Sequence, residues 1–155
     1  MARAPEFTNS EDRHFVFNAT HHRLNCFKSN GTLEWHMEAR GEGTTGDSSK
    51  PLGNTPPGLY RVDKVETLSN NTDNKAYGLY RIALIPIELD KGTDRRGFYI
   101  HGGGSDLSHP FAPEQGWEKT HGCIRVQNHN LGLIVNKVKG VQGKNGRVWV
   151  SVKWN

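Results

Sequence analysis

Two imidazoles and one thiol mark the stretch of this chain equipped for chemistry. His101 closes the run Phe98-Tyr99-Ile100, and His121 and Cys123 stand in Thr120-His121-Gly122-Cys123-Ile124-Arg125. A cysteine nucleophile works as its thiolate and needs a neighbouring base or positive charge to populate that form near neutral pH. A glycine immediately before the thiol, Gly122, clears space for a substrate carbonyl and frees backbone N–H groups for a developing oxyanion. Gly102-Gly103-Gly104, directly after His101, let the chain bend sharply and leave room for close approach of a ligand. The pattern predicts covalent acyl chemistry on Cys123.

Other chemistries fit less well. His101, His109, His121 and Cys123 are of the right types for zinc, but no HExxH or CxxC spacing is present, and His121 and Cys123 are only two apart. Gly102 to Ser105 lacks the Gly-Lys-Ser/Thr ending of a phosphate loop. Neither a metal nor another cofactor is expected. Cys26 alternates with Leu24 and reads as a small buried apolar residue; it carries no expected role.

The elements that must position these groups are mostly strands. His14 to Phe17 forms the first. Arg23 to Lys28 and Thr32 to Ala39 flank Asn30-Gly31, a strong hairpin signal. Gly41 to Asn54 is a loop, and Thr55-Pro56-Pro57-Gly58 turns sharply into Leu59 to Val62. Further strands follow at Leu79 to Ile87, with Pro86 marking an edge or a bulge, and at Phe98 to His101. After Cys123 the period changes: Leu131, Ile134, Val135 and Val138 share a helical face, with Asn128 expected to cap and Gly140 to end the helix. Arg147 to Trp154 is the last strand. One mainly β domain over 1–155 is predicted, with one helix after Cys123 and a flexible segment at 1–13.

Composition narrows the class. Hydrophobic residues make up 34% and the longest apolar run, Ile82 to Ile87, is too short for a bilayer, so no membrane insertion is expected. The net charge is +4, but Lys and Arg are scattered, with Arg95-Arg96 the densest pair, so no nucleic-acid partner is expected. The N-terminal residues contain no apolar secretory core. A signal-independent route of delivery, or prior removal of a leader, is expected.

His101-Gly102, a loop, and then Thr120-His121-Gly122-Cys123-Ile124-Arg125 resemble the signature of the L,D-transpeptidase catalytic domain family. Thr55-Pro56-Pro57-Gly58-Leu59-Tyr60 resembles that family's Thr-Pro-x-Gly-x-aromatic turn, and the resemblance runs from about Phe15 to Trp154. It implies a β-sandwich-like catalytic fold acting on peptidoglycan stem peptides in the periplasm or cell envelope. It implies Cys123 as nucleophile on the third residue of a tetrapeptide stem, releasing the terminal D-Ala. It also implies His101 as general base, oriented by the Gly102 carbonyl. His121, Gly122 and Cys123 are expected to shape the oxyanion site, mostly through the N–H groups of the last two. Thr120 is expected to hold that turn by a local hydrogen bond, and Arg125 either to bind a substrate carboxylate or to tie down the loop. Trp117, with Phe111, is expected either as a lid over the stem peptide or as a packing anchor in the long loop, and Tyr99 as a support behind the base. Eighteen residues separate His101 from Thr120, more than is usual in the family. The triple glycine resembles the small antibacterial effectors delivered by a contact-dependent (type VI) apparatus, which implies an immunity protein as partner. A non-catalytic wall-binding module is the alternative.

Overall fold

The computed structural model describes residues 3–50 and 52–155. Eight strands and one long helix follow in the order β1 (Arg13–Asn18), β2 (Arg23–Lys28), β3 (Leu33–Arg40), β4 (Gly58–Thr67), β5 (Tyr80–Leu89), β6 (Phe98–His101), β7 (Ile124–Val126), α1 (Asn128–Gly143) and β8 (Val148–Lys153). The described residues are mainly β with a single α-helix, which follows Cys123 as the sequence predicts. The sandwich-like sheet closes on itself, in the order β1-β2-β3-β7-β6-β5-β4-β8 and back to β1. Closure removes the open edges that a flat sheet would present.

The β1–β2–β3 meander follows from Asn30-Gly31, where Gly31 takes a φ of +87°. β4 and β5 form a long antiparallel pair whose register shifts where Pro86 stands opposite Tyr60, so the proline sits at a bulge, as expected. β8 returns parallel to β1 and antiparallel to β4, closing the circuit. Alternate residues of these strands fill the core: Phe15 and Phe17, Leu24 and Cys26, Ile100, Ile124, and Val148, Val150 and Val152. Leu131, Ile134, Val135, Val138 and Val141 of α1 join them, which is the apolar stripe its spacing predicts.

Three local expectations are corrected. β7 has no counterpart among the strands read from the sequence; it is three residues long and lies inside the chemical motif. Asn128 does not cap α1. It is the first helical residue, and its side chain reaches back to hold the loop after β6, accepting from Gly103 N–H (3.0 Å) and donating to Pro110 (2.8 Å) and Ala112 (2.7 Å) carbonyls. Gly140 does not end α1 either: the helix runs to Gly143, because Val141 beyond it is still buried in the core. The 3–12 segment is held at its end by Asp12, which accepts from Thr8, Asn9 and Arg147 N–H groups. Residues 1–2 lie outside the described residues.

The pair that matters for the site is β6 with β7. They run parallel, with Ile100 opposite Ile124 and His101 opposite Arg125. The long crossover 102–123 therefore leaves the end of β6 and returns to the start of β7 beside it. That is how His101 and Cys123, 22 positions apart, come to share one pocket.

Candidate active site

His101 and Cys123 line a pocket of about 320 Å³ together with Tyr77, Thr120, His121 and Arg125. His101 is buried at 3% exposure. Its Nδ1 lies 2.8 Å from the carbonyl oxygen of Gly102. A carbonyl can only accept, so this contact fixes the proton on Nδ1 and leaves Nε2 as the basic nitrogen. Burial, with the Arg125 charge adding to it, pushes the imidazole pKa down to about 3, against the opposing pull of the Gly102 hydrogen bond. The ring is thus a neutral base at any physiological pH.

The Cys123 thiol is also neutral at rest. Burial pushes its pKa up to about 11; the Tyr99 N–H and the charges of Arg125, Arg95 and Arg81 act the other way. The sulfur donates toward the Gly97 carbonyl (3.8 Å) at the mouth of β6. The turn around it is strongly braced. The Cys123 carbonyl accepts from the hydroxyls of Thr120 (2.9 Å) and Thr55 (3.0 Å), and the Thr120 hydroxyl in turn accepts the Gly122 N–H (3.1 Å). Gly122 has a φ of +106°, a conformation that L side chains rarely adopt.

Two expectations about the backbone change accordingly. The Gly122 N–H is committed to Thr120 and does not face the pocket as an oxyanion donor. Among the described residues the N–H of Cys123 has no hydrogen-bond partner, so it is the donor left for that role. The triple glycine does not make room for a ligand. Gly102, Gly103 and Gly104 are buried, and their N–H groups go to Tyr77 O, Asn128 Oδ1 and Lys75 O. A Cβ at Gly103 would stand 2.4 Å from the Lys75 carbonyl, so the small residue is needed for packing against segment 75–78.

Arg125 is 4% exposed and donates to four carbonyls: Gly102 (3.3 Å), Glu118 (2.6 Å), Lys119 (3.2 Å) and Ala76 (3.2 Å). Of its two expected jobs, this geometry serves the tying of the loop. It also couples the arginine to the base, since Gly102 O accepts from both. His121 is exposed at the pocket rim. Trp117 is not brought to this pocket. It lines a neighbouring one of about 260 Å³ with Arg40 and Glu42, and the Arg40 guanidinium stacks 4.9 Å from its ring centroid. Phe111 is half-buried and also outside the pocket lining. The crossover is no free lid: Gln115 clamps Gly103, Val126 and Asn128, and Gln127 exchanges two hydrogen bonds with Gly116.

Tyr99 presents its backbone to the sulfur and its ring to Arg81, whose guanidinium lies 4.7 Å from the Tyr99 centroid and 5.0 Å from that of Tyr77. Tyr77 meets the His101 ring edge-on at 5.1 Å. Tyr77 and Arg81 are not legible in the sequence as site residues, and neither is the reach of Thr55 to Cys123. For Thr55 a signal exists, because it opens the Thr-Pro-Pro-Gly turn. Among the described residues no cluster of three or more His, Cys, Asp or Glu side chains is placed to hold a metal, and no helix is long and apolar enough to cross a membrane.

The model of the L,D-transpeptidase catalytic domain (YkuD) family matches residues 12–150. The chain belongs to this family. As an L,D-transpeptidase domain it is similar in fold to Bd1075 of Bdellovibrio bacteriovorus, with a TM-score of 0.63 at 17% identity over 91% of this chain and 47% of that one. The helical cell shape determining protein Pgp2 of Campylobacter jejuni gives 0.63 at 18% identity over 92% and 48%. An L,D-transpeptidase from Stackebrandtia nassauensis gives 0.58 at 14% identity over 92% and 56%. This L,D-transpeptidase domain thus spans about half the length of the structures it resembles. Comparison with curated proteins returns no match.

Proposed function

We infer that this L,D-transpeptidase domain is a cysteine acyltransferase acting on peptidoglycan tetrapeptide stems. The observation that carries the reading is the pair in one pocket: a neutral imidazole with its Nδ1–H committed to Gly102 O, and a thiol on a braced turn. On substrate binding the thiol proton passes to His101 Nε2 as sulfur attacks the carbonyl of the third stem residue. The Cys123 N–H meets the oxyanion. The carbon–nitrogen bond to the terminal D-Ala breaks, His101 returns its proton to the leaving amine, and a thioester remains on Cys123. A second stem's side-chain amine then gives a crosslink, a free D-amino acid gives exchange, and water gives carboxypeptidase action. The cell envelope is the site of action in this reading. An antibacterial effector role, with a cognate immunity protein, is its narrower form; it rests on the sequence resemblance alone.

Incubation of the protein with disaccharide tetrapeptide tests the reading. Released alanine in the wild-type sample and none with Cys123→Ala is the expected result, and the remaining products sort the three fates. A non-catalytic wall-binding module predicts instead that sacculus binding persists and that neither sample changes the peptide.

A further inference from the structure

Between β5 and β6 one arginine reaches back across the site. Arg95 Nη1 donates to the carbonyls of Ser48 (2.6 Å) and Asn54 (2.9 Å), and Nη2 to those of Gly53 (3.3 Å) and His121 (3.0 Å). The guanidinium carbon lies 5.3 Å from the ring centroid of Phe98, the first residue of β6. These four acceptors take all four Nη hydrogens. Among the described residues Arg95 has no carboxylate partner within ion-pair distance. Its fork is directed wholly at backbone, joining the 48–54 loop, the peptide before Gly122, and β6.

The peptide unit between His121 and Gly122 is consequently pinned at both polar ends. Arg95 holds its carbonyl and the Thr120 hydroxyl holds its N–H. The peptide unit after Cys123 is pinned by two hydroxyls on its carbonyl. Between them, the unit joining Gly122 to Cys123 keeps an N–H with no partner among the described residues, and the two fixed planes on either side dictate its orientation. Gly122 and Arg95 also need each other sterically: a Cβ on Gly122 would stand 2.1 Å from Arg95 Nη2.

We propose that Arg95 is a positioning residue for acyl transfer, clamping the His121 carbonyl to the 48–54 loop so that the Cys123 N–H and Sγ are aimed together at the carbonyl under attack. The proposal rests on the reading of Cys123 as nucleophile. The alternative is a structural staple that secures the loop and nothing more. The two differ at the sulfur, because a guanidinium fixed beside Cys123 also favours the thiolate.

The test compares wild type with Arg95→Gln and Arg95→Lys, and with Arg96→Gln as an equal loss of charge on an exposed neighbour. Three quantities are read: the pH profile of Cys123 alkylation by iodoacetamide, resolved by peptide mass; kcat and KM on disaccharide tetrapeptide; and Tm. Loss of aim at one oxyanion donor lowers kcat by roughly 10- to 100-fold in both Arg95 variants, with KM near wild type. The alkylation midpoint rises in Arg95→Gln, moves less in Arg95→Lys, which keeps a charge, and is unchanged in Arg96→Gln. An Arg95→Gln alkylation profile superimposed on wild type, with only Tm lowered, would overturn the proposal in favour of the staple. A change in KM alone would also overturn it. Alkylation needs no peptide, so it decides on Arg95 even if the wild type leaves the tetrapeptide intact, an outcome that refutes the acyltransferase reading separately.

Discussion

The buried neutral imidazole of His101 makes the protein's stability depend on pH in a calculable way. In the unfolded chain this histidine titrates near its ordinary value of 6.5, while in the fold burial and Arg125 hold it near about 3. Between those values the unfolded state binds the extra proton, so stability rises with pH and is lost as pH falls below about 6.5. Each tenfold change in proton affinity corresponds to about 1.36 kcal/mol, so the full contribution is about 5 kcal/mol, reached only near pH 3 and below. By about pH 5 the loss relative to neutrality is about 2 kcal/mol, and by about pH 4 about 3 kcal/mol. Urea unfolding of wild type and His101→Gln, at matched ionic strength, isolates this share. Glutamine keeps a donor for the Gly102 carbonyl and cannot titrate. His14, lowered to about 4 by burial, contributes in the same direction in both proteins and cancels from the difference. The urea midpoint of the wild type should drop by about 1 M more than that of the variant between neutral pH and about pH 5. Parallel pH dependence in the two proteins would refute the claim that His101 is held neutral by the fold, and with it the assignment of Nε2 as a free base.

Four further outcomes follow from the geometry. Arg125→Met leaves one buried and three partly buried carbonyls without their donor and should cost about 2–4 kcal/mol in urea unfolding, with Arg125→Lys recovering only part of it. Thr55→Val and Thr120→Val each remove a hydroxyl from the Cys123 carbonyl; each should cost about 1 kcal/mol, and a double-mutant cycle should show that the two are coupled. Gly122→Ala forces a side chain into a positive φ and against Arg95, so turnover should be lost while far-UV circular dichroism stays native. Trp117→Ala should leave Cys123 alkylation unchanged, since the ring stacks on Arg40 in the neighbouring pocket.

Much of the fold is legible in local pattern. Asn30-Gly31 between two alternating runs dictates the first hairpin, and the 131–138 spacing dictates the buried face of α1. Pro86 announces its bulge because a proline cannot donate to a ladder. β7 escapes notice because three residues are too few to show a period; it exists because β6 and β3 on either side supply its partners. An asparagine at the start of an isolated helix caps it through its side-chain oxygen, but at Asn128 that oxygen accepts the Gly103 N–H instead, while the amide nitrogen donates to the Pro110 and Ala112 carbonyls.

The site shows the same division. The types and order of His101, Gly122 and Cys123 can be read because the acyl chemistry proposed for the thiol needs those types. What holds them is harder to read: Arg95 and Thr55 arrive from remote loops and act on backbone carbonyls that carry no side-chain signature, and Arg125, although inside the motif, gives no sign of which carbonyls it ties. The expected roles of Trp117 and of the Gly122 N–H also change: Trp117 meets Arg40 from the remote strand β3, and the Gly122 N–H is taken by the Thr120 hydroxyl two positions before it.

The most direct test of the central claim is the mass of the intact protein after brief exposure to disaccharide tetrapeptide. The account predicts an adduct equal to the donor less its terminal alanine, located on the peptide containing Cys123, labile to hydroxylamine as a thioester is, and absent in Cys123→Ala. An adduct of the same mass in Cys123→Ala, or none on folded wild-type protein whose Cys123 is reduced and whose donor is intact, would contradict it.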